Sequence, residues 1–208
     1  VGERYGVNDR YSDWRELVAR EDIDVVSVCT PNYLHTEQTI AALKAGKHVL
    51  CEKPMATSVP DAQAMIRASE ESGKKLFVGF THRFMNHNVK AKEMVDAGII
   101  GEPYIMRIRF SHDGPYKGWS AKTDWFFDPK RAHGGALLDM GIHAIDLMRW
   151  FFGEVTAVTA TCGTYVKDIA VEDTAVLTLE FGPKKIGYIE VGWSTKPGAI
   201  GFELYGTE

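Results

Sequence analysis

Residues 24–54 read DVVSVCTPNYLHTEQTIAALKAGKHVLCEKP, and their pattern indicates the class of the fold. Its near-continuous apolar run over 25–29 predicts a buried strand of a parallel sheet. Residues 35–45 predict a helix that stops at Gly46, and residues 48–52 predict a second strand. A strand, a helix and a strand in this order predict a parallel pair joined by a right-handed crossover.

The same alternation of elements continues on both sides of this stretch. A helix is predicted over 58–72, with Gly73 at its end, and a third strand over 76–80. Upstream, residues 11–24 carry apolar side chains at helical spacing, with Ser12 as the expected cap. Together these elements predict a partial Rossmann half of the α/β class, built on a parallel sheet.

The pattern changes near residue 81, so we place a domain boundary between residues 1–80 and 81–208. The second part predicts an α+β fold with an open, mostly antiparallel sheet. Its expected helices span 88–97 and 135–152, and its half-exposed antiparallel strands lie near 104–110, 155–166, 173–181, 186–194 and 202–205.

The composition excludes several classes of protein. Of the 208 residues, 45% are hydrophobic and 25% are charged, and the net charge is −4, which gives no basic footprint for nucleic acid. No apolar run reaches the ~18 residues of a membrane helix, and no signal peptide is visible, so we expect a cytoplasmic protein. The three cysteines form no close pair; Cys29 and Cys51 are predicted to be buried free thiols.

Polar residues follow two of the predicted parallel strands, where ligands of such sheets bind. They are Thr30 before Pro31 and Lys53 before Pro54. Proline keeps the residue before it out of the helical region, so Lys53 is expected to stand extended at the mouth of its strand. The alternative is an ordinary solvated surface lysine.

A second group of chemical side chains lies on the helix over 135–152. Asp139, His143 and Asp146 fall at i, i+4 and i+7 and are expected to share one face. A carboxylate one turn from a histidine can orient its ring. The alternative is an amphipathic helix with a capped histidine, and the helix offers too few ligands for a metal site, so no metal is expected.

Other polar and aromatic residues carry weaker signals. His82 and His87, on either side of Arg83, are expected to be surface residues. Four aromatic residues either line a pocket or cover a core: Trp119, Trp125, Phe126 and Phe127.

Three motifs in one order resemble the Gfo/Idh/MocA oxidoreductases, and the similarity covers essentially the whole chain. They are DVVSVCTPNxxH over 24–35, AGKHVLCEKP over 45–54 and GGxxxDxGxHxxD over 134–146. The resemblance implies a Rossmann domain followed by a substrate domain, with NAD or NADP as cofactor. It also implies a small-molecule sugar, inositol or polyol as substrate.

The resemblance assigns roles to individual residues. Lys53 matches the family's catalytic lysine, His143 its proton-transferring histidine, and Asp139 its substrate-binding or histidine-orienting carboxylate. The resemblance also implies a cis Lys53–Pro54 bond and a homo-oligomer, a dimer or tetramer, through the open sheet. The positions that commonly line the cofactor or the nearby cleft are Thr30, Pro31, Asn32, His35, Glu52, Lys53 and Arg83.

The chain also departs from the family pattern. It contains no Gly-x-Gly-x-x-Gly turn to cradle a pyrophosphate, and the choice between NAD and NADP stays open. We therefore expect a fragment that lacks the family's N-terminal fingerprint and its C-terminal end, and that is inactive on its own.

The function that follows is hydride transfer between the cofactor and a secondary alcohol. Lys53, Asp139 and His143 are expected to converge on one pocket. Lys53 and His143 are the candidates for taking the hydroxyl proton and for binding the substrate oxygen as charge builds on it. Two alternatives stay open: an NAD-dependent glycosidase of the same fold, and a non-catalytic regulator that senses sugars or nucleotides.

Overall fold

The computed structural model describes residues 2–115 and 124–208. The chain folds into two compact units, Val1–Gly79 (unit 1) and Phe80–Glu208 (unit 2). Trp119, one of the four aromatic residues singled out above, lies outside the described residues.

Unit 1 is built on a three-stranded parallel sheet in the order β1-β2-β3. Val28 is aligned with Cys51, and Cys51 with Val78, so the three strands end together at one edge. This parallel sheet confirms the predicted α/β class. The elements are β1 (Val25–Val28), β2 (His48–Cys51) and β3 (Leu76–Val78), with the helices α1 (Trp14–Val18), α2 (His35–Lys44) and α3 (Val59–Ser72).

Local signals explain where these helices begin and end. The Ser58 hydroxyl accepts a hydrogen bond from the Asp61 amide at 3.2 Å, which caps the first turn of α3. Gly73 ends α3 with φ 64°, a conformation that favours glycine. The cap predicted for the first helix was wrong, because Asp13 and not Ser12 accepts the Arg15 amide, and α1 spans only Trp14–Val18.

The first strand is less buried than its apolar run predicts, although Val28 is buried. β1 has β2 as its single strand neighbour in the described sheet, and Val25 is 59% exposed. Cys29, which follows β1, is exposed rather than buried, whereas Cys51 on the central strand is fully buried. Burial raises the pKa of the Cys51 thiol to about 11, which keeps it protonated at neutral pH.

Unit 2 is built on a five-stranded sheet in the order β5-β6-β7-β4-β8, and its mostly antiparallel pairing confirms the predicted second half. The strand near 104–110 was predicted to be antiparallel, and this was wrong for one of its two neighbours. This strand, β4, runs parallel to β7 and antiparallel to β8. The strands are β4 (Ile105–Ser111), β5 (Ala157–Gly163), β6 (Thr174–Glu180), β7 (Ile186–Gly192) and β8 (Ala199–Tyr205). The helices are α4 (Asn86–Asp96), α5 (Pro129–Ala132) and α6 (Ile142–Phe152).

One face of this sheet packs against α6 and forms the core of unit 2. Met106 and Ile108 of β4, Leu147 of α6 and Ile189 of β7 are all at most 1% exposed. The helix predicted as regular over 135–152 instead begins with a π-helical segment, Leu137–Gly141, before α6. This matters for the site, because Asp139 lies inside that segment.

Among the described residues, no helix combines the length and the apolar character needed to cross a bilayer.

Candidate active site

The polar residues of unit 1 lie at the carboxyl ends of β1 and β2. Thr30 follows β1, and its hydroxyl donates to Gln38 Oε1 at 2.8 Å. Pro31 precedes a short 3₁₀ turn, Asn32–Leu34, which leads into α2. Asn32 is half-buried at the start of that turn. This edge of a parallel sheet is where ligands of such folds bind.

Glu52 and Lys53 follow β2 at the same edge. The Glu52 carboxylate lies over the backbone of Gly79, since a Cβ placed on Gly79 would be 3.3 Å from Glu52 Oε2. The Lys53 amide donates to that same Oε2 atom at 3.3 Å. The Lys53–Pro54 peptide bond is cis, as predicted.

His35 is buried just behind these strand ends. Its side chain is 1% exposed, and both ring nitrogens contact backbone carbonyls. Nε2 lies 2.8 Å from the Thr30 oxygen, and Nδ1 lies 2.8 Å from the Pro54 oxygen. The ring therefore joins the segment after β1 to the segment after β2.

The groups at these strand ends fit one end of a nicotinamide dinucleotide. Thr30, Asn32 and Lys53 offer a hydroxyl, an amide and an ammonium, which suit ribose hydroxyls and a carboxamide. Over residues 2–115 and 124–208, no glycine-rich turn leads into a helix to cradle the pyrophosphate.

In unit 2, Asp146 of α6 binds Arg83. The Arg83 Nε and Nη2 atoms donate to the two oxygens of Asp146 at 2.7 Å each, a bidentate pair. Asp146 is 8% exposed, and this pairing raises the pKa of the Arg83 guanidinium against the opposing effect of burial. The pair joins α6 to the Thr81–Phe84 turn at the start of unit 2.

That turn also brings a second histidine against His143. The centroids of the His82 and His143 rings are 4.5 Å apart, and His82 lies 4.8 Å from Phe110. Phe80 meets the His143 ring edge-on at 6.4 Å. The prediction that His82 is a surface residue was wrong, because the Arg83–Asp146 pair holds the turn against α6; His87 is exposed.

Asp139 has a different partner. The indole nitrogen of Trp193, which is fully buried after β7, donates to Asp139 Oδ2 at 3.3 Å. Phe126 and Phe127 meet the Trp193 ring edge-on at 6.3 Å and 6.2 Å, so these two aromatic residues pack on the core of unit 2. Trp125 stacks on Phe126 at 4.0 Å.

Glu172 holds the start of the helix that carries Asp139 and His143. Its Oε1 atom accepts hydrogen bonds from the amides of Gly135 at 2.7 Å and Leu137 at 3.1 Å. Its backbone oxygen accepts from the Ala136 amide at 2.9 Å. One residue therefore satisfies three amides at the start of this helix.

The structure thus gives the predicted helix residues three separate partners within unit 2. Asp146 binds Arg83, His143 contacts His82, and Asp139 accepts from Trp193. Sequence reasoning missed His82, Trp193 and Glu172; only the position of His82 beside Arg83 gave a usable signal. Among the described residues, no cluster of three or more His, Cys, Asp or Glu side chains could hold a metal ion.

Two family models match the chain. The oxidoreductase family model with the NAD-binding Rossmann fold covers residues 1–80, and the GFO/IDH/MocA C-terminal domain covers residues 88–208. The first match confirms the predicted class of cofactor, a nicotinamide dinucleotide.

Curated relatives and a solved structure agree with these models. Levoglucosan dehydrogenase of Pseudarthrobacter phenanthrenivorans is 31% identical over 100% of this chain and 60% of its own length. Myo-inositol 2-dehydrogenase of Thermotoga maritima is 35% identical over 90% of this chain and 55% of its own length. A structure of levoglucosan dehydrogenase with NADH and levoglucosan superposes with a TM-score of 0.88 at 32% identity, covering 100% of this chain and 58% of that one.

The chain therefore spans less than two thirds of the length of these relatives. With both parts of the family architecture matched in order, the predicted resemblance is confirmed, and the chain belongs to the GFO/IDH/MocA oxidoreductase family.

Proposed function

We propose that the protein carrying this chain is a dehydrogenase that uses NAD or NADP. It transfers a hydride between the cofactor and a secondary alcohol of a sugar, inositol or related polyol. The relatives named for levoglucosan and myo-inositol support this class of substrate. The single observation that carries the proposal is the fixed placement of Asp139 and His143 in unit 2, each against a partner from another element.

The proposed roles follow from the chemistry of removing a hydride from an alcohol. The bound nicotinamide ring supplies the acceptor or donor of the hydride. The His143 imidazole takes the hydroxyl proton in the oxidative direction and returns it in the reductive direction. Asp139 orients that ring or binds a substrate hydroxyl, and the Trp193 indole keeps its carboxylate in place.

Lys53 is proposed to hold the substrate oxygen while negative charge builds on it. An ammonium is a compact charge with three donors, which suits an alkoxide-like oxygen. Its place after β2, at the edge of the sheet where ligands bind, supports this role. The proposal requires Lys53 and His143 to act on the same substrate.

Kinetics of single variants test these roles. Lys53→Met and His143→Ala are each expected to lower kcat by about 10²-fold or more, the usual scale for acid–base groups. The affinity for the cofactor should change much less for His143→Ala. Lys44→Met and His87→Ala, which alter exposed residues of the same types, serve as matched controls and should keep kcat.

The same assay separates the alternatives. Turnover of an intact glycoside without net change in NADH would indicate a glycosidase rather than a dehydrogenase. Binding of a sugar or nucleotide with no turnover would indicate a regulator. Unchanged kcat in both Lys53→Met and His143→Ala would contradict the proposed mechanism.

A further inference from the structure

His35 is a buried side chain whose chemistry the proposed mechanism does not use. It is the first residue of α2, and only 1% of its surface is exposed. Its ring lies between two segments that leave the sheet, at Thr30 after β1 and at Pro54 after β2. A polar ring buried at this place needs a partner for each nitrogen.

Both partners of the ring are acceptors. Nε2 lies 2.8 Å from the carbonyl oxygen of Thr30, and Nδ1 lies 2.8 Å from that of Pro54. A carbonyl oxygen accepts hydrogen bonds and cannot donate one, so the imidazole is the donor in this bridge.

The two carbonyls lie where the sheet no longer provides donors. The last bonds of the parallel ladder run from the Glu52 amide to the Val28 oxygen at 2.9 Å, and from the Gly79 amide to the Cys51 oxygen at 2.8 Å. Thr30 and Pro54 lie beyond these bonds, and Pro54 directly follows Lys53 in the sequence. The His35 ring therefore connects the two segments at the point where the backbone hydrogen bonds of the sheet end.

His48 on β2 shows the opposite arrangement in the same unit. Its Nδ1 atom lies 3.0 Å from the Lys75 amide, which donates to it. Nδ1 of His48 is therefore an acceptor, and the ring carries its hydrogen on Nε2. The neighbours of the His35 ring are acceptors, whereas the neighbour of His48 Nδ1 is a donor. His48 is therefore a matched internal control.

We propose that His35 is a positioning residue, whose imidazole bridges the Thr30 and Pro54 carbonyls and thereby holds Lys53 at the strand end. The resemblance places His35 among residues that line the cofactor, whereas this proposal assigns it to the backbone around Lys53. Its effect on catalysis rests on the role proposed above for Lys53.

Nitrogen NMR of the histidine rings tests the bridge directly. In protein labelled with ¹⁵N at histidine, His35 should show a ring nitrogen bonded to a slowly exchanging hydrogen, because its partners are backbone carbonyls beside a buried ring. His48 should carry its hydrogen at Nε2, since its Nδ1 accepts from the Lys75 amide. The signals are assigned by their loss in His35→Gln and His48→Gln, or by contacts with Pro54 if the first variant does not fold. A His35 ring with no slowly exchanging N–H would overturn the proposal.

Kinetics test the positioning role separately. His35→Gln keeps a donor group, its amide nitrogen, and is expected to lower kcat about tenfold, whereas His35→Ala keeps none and should lower it further. The KM for the polyol should change less than about threefold, since neither variant removes a substrate contact. His48→Gln should keep kcat. Wild-type kcat in a folded His35→Ala protein would overturn the role, whereas a protein with no dehydrogenase activity would overturn the proposed function and leave the NMR result standing.

Discussion

Asp173 is a single buried carboxylate that organises a whole loop. Its two oxygens accept hydrogen bonds from three consecutive amides, those of Tyr165 at 3.0 Å, Val166 at 2.8 Å and Lys167 at 2.7 Å. Burial by itself would raise the pKa of the Asp173 carboxyl, but the bonds from Tyr165, Lys167 and Val166 hold it below its usual value. The carboxylate therefore stabilises the fold in its charged form.

Asp173→Asn is expected to destabilise the protein by about 2–3 kcal/mol at pH 7, because an amide cannot accept bonds from all three donors. A carboxyl with a lowered pKa contributes stability above its unfolded pKa of about 4, and that contribution is lost as the pH falls through the lower folded value. The difference between wild type and variant should therefore shrink below about pH 4.

Urea unfolding of both proteins between pH 3 and pH 7, followed by circular dichroism, measures this difference. Asp168→Asn, on an exposed residue of the same loop, is the control and should change the free energy of unfolding by less than about 0.5 kcal/mol. A constant difference between wild type and Asp173→Asn over this range would contradict the assignment.

The segment that begins the Asp139 helix depends on a close backbone approach. A Cβ on Gly135 would lie 1.9 Å from the backbone oxygen of Glu172. The same Glu172 bonds the Gly135 and Leu137 amides, so any displacement here moves the π-helical segment that carries Asp139. Position 135 requires glycine because the Glu172 backbone leaves no room for a Cβ, and not because the backbone has a positive φ.

Gly135→Ala is therefore expected to cost about 1–3 kcal/mol of stability and to lower turnover as well, because the helix start must shift away from Glu172. Gly201→Ala in β8 is the matched control, since nothing lies within 4 Å of a Cβ placed there. Urea unfolding and initial rates measure both effects. Equal free energies of unfolding for the two variants would show that the Glu172 backbone moves aside at little cost.

The sheet of unit 2 leaves its outer face without a covering helix in the described residues. A groove of about 600 Å³ lies on it, bordered by the ion pairs Arg107–Glu203 and Arg109–Glu190 at 3.3 Å and 2.9 Å. Ile186 on the same face is 41% exposed. Arginine is enriched at subunit interfaces, and the exposed isoleucine adds apolar surface that a contact would bury.

The protein carrying this chain is expected to form a dimer or tetramer through this face. Ile186→Asp should weaken the assembly, because it places a charge in the contact. Ile66→Asp on α3, at 47% exposure, is the matched control outside the sheet. Analytical ultracentrifugation at micromolar concentration provides the measurement, and a wild-type protein that is entirely monomeric would contradict the expectation.

A polypeptide of residues 1–208 by itself is expected to bind NADH weakly. The groups at the strand ends of unit 1 are proposed to contact the nicotinamide side, but the sequence has no glycine-rich turn for the pyrophosphate. Fluorescence titration with NADH measures the affinity, and circular dichroism establishes that the polypeptide is folded. A dissociation constant in the micromolar range would show that the strand ends alone are sufficient.

Most of the local elements and the family could be predicted from the amino-acid sequence. Capping residues such as Ser58, stop glycines such as Gly73 and the apolar runs act on neighbours in the chain, so their pattern predicts helices and strands directly. The motif residues Lys53, Asp139 and His143 could be named for the same reason, since each belongs to a short segment of recognisable spacing.

The partners of these residues became known from the folded structure. Asp146 pairs with Arg83 across 63 residues, and Asp139 accepts from Trp193 across 54. The π-helical start of the helix depends on Glu172, which the sheet brings to it from 35 residues away. Such contacts depend on how strands and helices pack against one another. The spacing of residues along the chain does not predict them, because the two partners come close only when the chain folds.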